Sequence, residues 1–385
     1  MRERQFTDCV DIVGSSCKPF EGNRRYISTG AVATDHIDES DVEIVDHKSR
    51  PSRADLVVEP ETLLFAKMQG TKKTLYVDKE SAENIYSTGF FALKAKSGVI
   101  STRCLYHLLG SASFLTQKDK NCSGATQKAI TNAGLKKIRV SIPDYQLQEA
   151  IADQLDKISS VIQMRRSELQ KLDDLVKARF VEMFGDVIRN SKSWEIRVLA
   201  DIASSRLGKM LDTKQQTGEC SYPYLANFNV QWFRFNTENL NQMDFNEEDR
   251  IEFELQNDDL LVCEGGEIGR CAVWHNEIQP CFFQKALHRV RCNRQIVHPD
   301  YLGWWFKYNC DHDGFATIAG AKATIAHLPG VKLKQLRVAI PPLELQEQFA
   351  AFVNQIDKSK FVESIHVLKL IKEAIAKEVS HDRIR

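Results

Sequence analysis

A chain of 385 residues is long enough for two or more domains, each with a core of its own. At 43% hydrophobic and 27% charged residues it reads as a globular protein, and no window is long and apolar enough to span a membrane. Its 52 basic and 52 acidic side chains cancel, which argues against a simple polyelectrolyte coat for nucleic acid but leaves room for local basic faces.

The charged start, MRERQFTDCV, has no apolar run behind it, so a secretory leader is not expected. Ten scattered cysteines form no C-x-x-C pair, and reduced thiols in a cytoplasmic protein are the expectation. His275, His288, His298, His312 and His327 show no metal-ligand spacing, so no metal site is expected.

Residues 1–141 read as an α+β globule of short mixed segments. Leu56-Val57-Val58, Leu63–Ala66 and Thr74–Val77 are strand-like runs between polar turns, and Thr102–Leu109 reads as a helix with Leu105, Leu108 and Leu109 on one face. The span 142–189 holds a long amphipathic helix. Pro143 suits its first turn and Gly185 its end. Its apolar stripe falls at Leu147, Ile151, Leu155, Ile158, Ile162, Leu169, Leu172, Val176, Phe180 and Met183, steps of three and four apart from one seam position taken by Arg165. So narrow a stripe needs a partner helix.

Residues 190–339 form a second globule that echoes the first. Val10-Asp11-Ile12 is matched with Ala200-Asp201-Ile202, Thr62–Phe65 with Asp259–Val262, Leu105–Leu109 with Leu302–Phe306, and Gly124-Ala125 with Gly320-Ala321. The helix then returns in 340–385, with Ile340-Pro341 and Leu345-Gln346-Glu347 repeating Ile142-Pro143 and Leu147-Gln148-Glu149. Its stripe runs Leu345, Phe349, Val353, Ile356, Phe361, Ile365, Leu368, Ile371, Ile375 and Val379, with a one-residue slip near Asp357–Lys360. The sequence is thus a duplicated unit of head and helix. Periodicity does not fix the direction of pairing, but antiparallel packing lets such a unit close with pseudo-two-fold symmetry.

This order resembles the specificity subunit of type I restriction–modification systems, over almost the whole chain. The marks are the repeated I-P-[DP]-x-x-L-Q-E helix openings, then Tyr222–Leu225 with Asn229-Val230, and Asp258–Leu261 with Gly266–Arg270. Tyr26–Thr29 and Leu64–Met68 are the first head's version. The resemblance implies two target-recognition domains, each reading one half of an asymmetric split sequence in double-stranded DNA. It implies long helices that set the spacing and dock two copies of an adenine methyltransferase, with restriction and translocase subunits joining. S-adenosylmethionine, ATP and magnesium are then expected on those partners, and no cofactor or active site on this chain.

Base reading needs rigidly held donors and acceptors. Asn227, Asn229, Gln231 and Arg234, set among Trp232, Phe233 and Phe235, are candidates as a group, while a polar edge strand with aromatic packing is the alternative for each alone. Arg270 after Gly265-Gly266, and Lys72 and Lys73 after Gly70, could clamp phosphates, though the glycines themselves fit a β-turn rather than a P-loop. Thr126, Gln127 and Lys128, with Lys322 and Thr324, precede the two helices and are further DNA-facing candidates or solvated loops. Arg165, Arg166 and Lys177 could meet the methyltransferase or simply face water. No Asn-Pro-Pro-aromatic motif marks a methyltransferase, and Pro143-Asp144 and Pro299-Asp300 read as turns rather than nuclease motifs. A coiled-coil scaffold whose heads bind proteins, and a solitary enzyme, are the competing readings.

Overall fold

The computed structural model describes residues 2–212, 216–316 and 327–360. It divides into two units, 1–163 and 164–385, and the boundary falls inside the helix Tyr145–Phe184. Each unit therefore combines a head with part of a long helix.

In the first unit, the run Thr62–Ala66 is buried at every position, as expected of a central strand covered on both faces. It lies in a four-stranded sheet in the order Val10–Val13, Phe90–Ala95, Thr62–Ala66, Thr74–Val77. A second sheet contains the parallel pair Asn23–Ile27 and Ile85–Ser87. The strand Arg2–Gln5 pairs with Arg139–Ile142 just before the long helix. The head helix Thr102–Gly110 starts at Ser101, whose hydroxyl accepts the Cys104 amide at 3.2 Å, and it buries Leu105 and Leu109.

The second unit repeats this plan. Its four-stranded sheet runs Ala203–Leu207, Leu287–Cys292, Asp259–Cys263, Cys271–Val273. Ser221–Leu225 lies parallel to Phe282-Phe283, and Glu195–Val198 pairs with Arg337–Ile340. Sheet register corrects one sequence match: Ala95 faces Val10 and Cys292 faces Ala203, so Val10 corresponds to Ala203 and not to Ala200. The starts of the heads share too little identity to fix that offset. Pro299-Asp300 is also not a turn; it opens the helix Pro299–Asp311, where proline at the first position costs no hydrogen bond.

The long helix begins at Tyr145, so Pro143 precedes it, and Gly185 terminates it at φ +72. Gln148 and Ala152 are the residues fully buried at its start, whereas Leu147 is 45% exposed. Ile151, Leu155, Ile158 and Leu169 are half-buried. The stripe thus enters the first head one position later than the apolar pattern suggests, because a hydrogen-bonded glutamine takes the inner place. There Arg103 of the head helix holds Glu149 at 3.0 Å, Asp153 at 2.7 Å and also Asp156, and His107 contacts Asp156 at 2.7 Å.

In the second unit the same junction is aromatic. Phe180 lies within 5.1–6.4 Å, ring to ring, of Phe184, Tyr301, Trp304 and Phe349. Leu172 and Leu345 pack at the margin of this cluster, and Phe349, Val353 and Ile356 are inside it. The chain is helical over 343–360, antiparallel to 172–184. Phe184 meets Phe349 at 5.4 Å, Arg179 covers the Phe352 ring at 6.0 Å, and Lys360 pairs with Asp173 at 2.7 Å. Leu368 and Ile375 lie outside the described residues.

Candidate nucleic-acid interface

Each head carries a seven-residue loop between two strands of its main sheet, 67–73 in the first and 264–270 in the second. The same backbone bonds suspend both. Lys67 N–H donates to Gly89 O at 2.9 Å and Lys67 O accepts from Ile130 N at 2.9 Å; Glu264 N–H donates to Ala286 O at 2.9 Å and Glu264 O accepts from Leu328 N at 2.7 Å. Bridges Met68 to Ala129 and Gly265 to His327 complete the match.

A cation closes each loop from the same position. Lys73 Nζ donates to Thr29 O at 2.7 Å, and Arg270 donates to Asn227 O at 3.1 Å and to Asn227 Oδ1 at 2.7 Å. Thr29 and Asn227 are equivalent, each two residues after the parallel strand of its head. Lys73 and Arg270 therefore serve as internal ties between loop and turn, a role that their expectation as phosphate clamps did not include. Arg270 is further held by Glu267 at 3.6 Å.

Asn229 is likewise internal. It is 1% exposed, its Oδ1 accepts from Ala226 N at 2.9 Å and its Nδ2 donates to Asn236 O at 2.9 Å. A buried amide in a turn must pair its own groups, and at 1% exposure this one holds the turn together rather than presenting its edge to a groove. Asn227 is committed as well, its Nδ2 donating to Gly265 O at 3.0 Å. Trp232 donates to Glu267 at 2.7 Å, Phe233 stacks on Trp304 at 4.3 Å, and Phe235 meets Trp274 edge-on at 5.1 Å. Aromatic packing therefore governs most of this segment, with Arg234 exposed and Gln231 half-exposed.

In the first head the structure brings together two sequence candidates. Gln69 N–H donates to Lys128 O at 2.9 Å, so the 67–73 loop and the exposed Thr126, Gln127 and Lys128 share one edge, joined by exposed Lys72. Sequence reasoning missed what fixes this edge. Lys118, fully buried, donates to Met68 O at 2.9 Å and Thr71 O at 2.7 Å, while Asp119 accepts the Gly70 amide at 3.0 Å. Nothing in the local sequence distinguishes Lys118 from a solvated helix lysine. Lys322 and Thr324 lie outside the described residues.

Among the described residues, no group of three or more His, Cys, Asp or Glu is placed to hold a metal ion. Burial disfavours the thiolate at three cysteines, pushing Cys263 up to about 11 and Cys281 and Cys292 up to about 12. His288 is buried against Leu328 O at 3.0 Å, and burial lowers its pKa. No described helix is long and apolar enough to cross a membrane.

Comparison with known proteins agrees with this duplicated frame. The profile of the family described as type I restriction modification DNA specificity domain matches residues 14–173 and again 191–372. A Methanocaldococcus jannaschii protein named as the MjaX specificity subunit of a type I restriction enzyme is 24% identical over 194 residues, 49% of this chain and 45% of that protein. The HindI specificity subunit of Haemophilus influenzae is 24% identical over 165 residues, 42% of this chain and 35% of that one. The matches thus span less than half the length of either relative. Two solved structures share the fold. One is a chain from work on complex assembly and conformational transition of the type I R-M system, at TM-score 0.52, 16% identity and coverage of 97% and 95%. The other is the type I restriction–modification S subunit from M. genitalium, at TM-score 0.51, 14% identity and coverage of 97% and 94%. The chain belongs to the type I restriction modification DNA specificity domain family, represented in it twice.

Proposed function

We propose that this chain is the sequence-reading subunit of a type I restriction–modification complex, with one head for each half of a bipartite, asymmetric DNA target. The observation that carries this reading is a shared frame with different contents. Both heads hang their loops from the same backbone bonds and tie them with Lys73 or Arg270, yet one loop is LysMetGlnGlyThrLysLys and the other GluGlyGlyGluIleGlyArg. A conserved scaffold with divergent exposed chemistry suits two readers of unlike half-sites.

In this reading Lys72, Thr126, Gln127 and Lys128 face DNA in the first head, and Gln231 and Arg234 in the second. The long helices set the distance between half-sites and dock two adenine methyltransferase subunits, with restriction and translocase subunits added. The chain carries no chemistry of its own; S-adenosylmethionine, ATP and magnesium are bound by those partners. The test is to co-express the chain with a type I adenine methyltransferase subunit from the same genome and sequence the methylated bases. Replacing one head with that of a relative should change one half of the methylated motif and leave the other. An unchanged motif would refute the assignment.

A further inference from the structure

Three of the four aromatic rings in Phe228–Phe235 are occupied by the head itself, as the contacts of Trp232, Phe233 and Phe235 show. Phe228 is not; its side chain is 60% exposed on the short 3-10 turn Asn227–Asn229. The turn beneath it is over-determined. Asn229 fixes it to Ala226 and Asn236, Asn227 to Gly265 and Arg270, and Gln231 Nε2 donates to the Phe228 carbonyl at 3.2 Å. Gln231 is in turn paired across the ladder with exposed Arg234. A bulky apolar ring thus stands on a rigid support, with the Gln231 amide on its own carbonyl and Arg234 opposite Gln231 in the ladder.

The first head needs no such ring, since Gly30 occupies the equivalent place, three residues after the parallel strand. The fold of the head therefore does not call for Phe228. Resting on the reading that this chain selects DNA sequence, we infer that Phe228 is a specificity-determining residue of the second head, making an apolar contact with a base of its half-site. The 5-methyl of thymine is the base-edge group that such a ring recognises in the major groove, with Arg234 and Gln231 available to neighbouring acceptors. Because the turn is already fixed, binding costs little conformational freedom.

The test uses the chain assembled with its methyltransferase and a plasmid library of randomised half-sites, read by sequencing of methyladenine. Phe228→Ala and Phe228→Asn should each relax one position of one half-site, by about tenfold or more, with the other half-site and the spacer unchanged. Preference retained at every position would overturn the inference. So would a uniform loss of methylation in both variants, which would mark Phe228 as structural. If the unaltered chain confers no motif at all, the DNA-reading assignment itself fails, and the role of Phe228 falls with it.

Discussion

Gln148 and Gln346 stand at equivalent positions in the two long helices and make the same hydrogen bonds. Gln148 accepts from Ser101 N at 2.7 Å and donates to Val99 O at 2.9 Å and Pro143 O at 3.1 Å. Gln346 accepts from His298 N at 2.8 Å and donates to Ile296 O at 3.1 Å and Pro341 O at 2.8 Å. Both side chains are fully buried, and each latches the helix start to the segment that opens the head helix. Gln148→Leu and Gln346→Leu would leave those backbone groups buried and unpaired, which should cost about 2–4 kcal/mol in each case. Urea unfolding measures it, and a loss below about 0.5 kcal/mol would show that the latch is dispensable.

The ties at Lys73 and Arg270 make a prediction that separates them from phosphate-binding cations. Removing a side chain that neutralises one phosphate lowers the slope of log affinity against log salt by about 1. Lys72→Ala and Lys128→Ala should each show that drop in the assembled complex. Lys73→Ala and Arg270→Ala should instead leave the slope in place while lowering stability by about 1–3 kcal/mol through the freed carbonyls. A reduced slope for Arg270→Ala would restore its reading as a phosphate clamp.

Stability should also depend on pH through the start of the second head helix. Burial raises the Asp300 carboxyl from 3.8 to about 6 and lowers His298 from 6.5 to about 4. His298 is therefore neutral at pH 7, and its 3.6 Å approach to Asp300 is not an ion pair there. An acid whose pKa is higher folded than unfolded loses stability as pH rises from about 4 to about 6, and the loss persists above that. A histidine with a lowered pKa loses it in the opposite sense, as pH falls from about 6.5 to about 4. The Asp300 shift corresponds to about 3 kcal/mol. Asp300→Asn should accordingly gain about 1–3 kcal/mol at pH 7 and nothing at pH 4. Chemical unfolding at the two pH values decides it, and an equal effect at both would exclude titration as the cause.

The repeated helices were legible because Leu-Gln-Glu recurs at a constant offset, and Thr62–Phe65 matched Asp259–Val262 because central strands keep continuous apolar runs. Which residue of Leu147-Gln148 faces inward was not legible. Hydrophobic pattern favours leucine, and only the backbone groups of residues 99, 101 and 143 make a buried glutamine favourable. Likewise a cation after glycines looks the same in sequence whether its acceptor is a phosphate or the carbonyl of Asn227. The same holds for Asn229: a buried turn asparagine bonded to its neighbours has the same local sequence as one facing a groove.

If the long helices set the distance between half-sites, their length is a functional quantity. Inserting two turns, about seven residues, into the first long helix and its repeat adds ~10 Å. At about 3.4 Å per base pair, the spacer in the methylated motif should lengthen by about three base pairs, with both half-sites intact. A lengthened helix that leaves the spacer unchanged would contradict the ruler.

Genome-wide detection of methyladenine, with and without this gene, tests the central claim most directly. The account predicts methylation on a split, asymmetric motif that vanishes when the gene is removed, with two unlike half-sites at a fixed spacing. Methylation that persists unchanged without the gene, or a motif that is continuous rather than split, would contradict it.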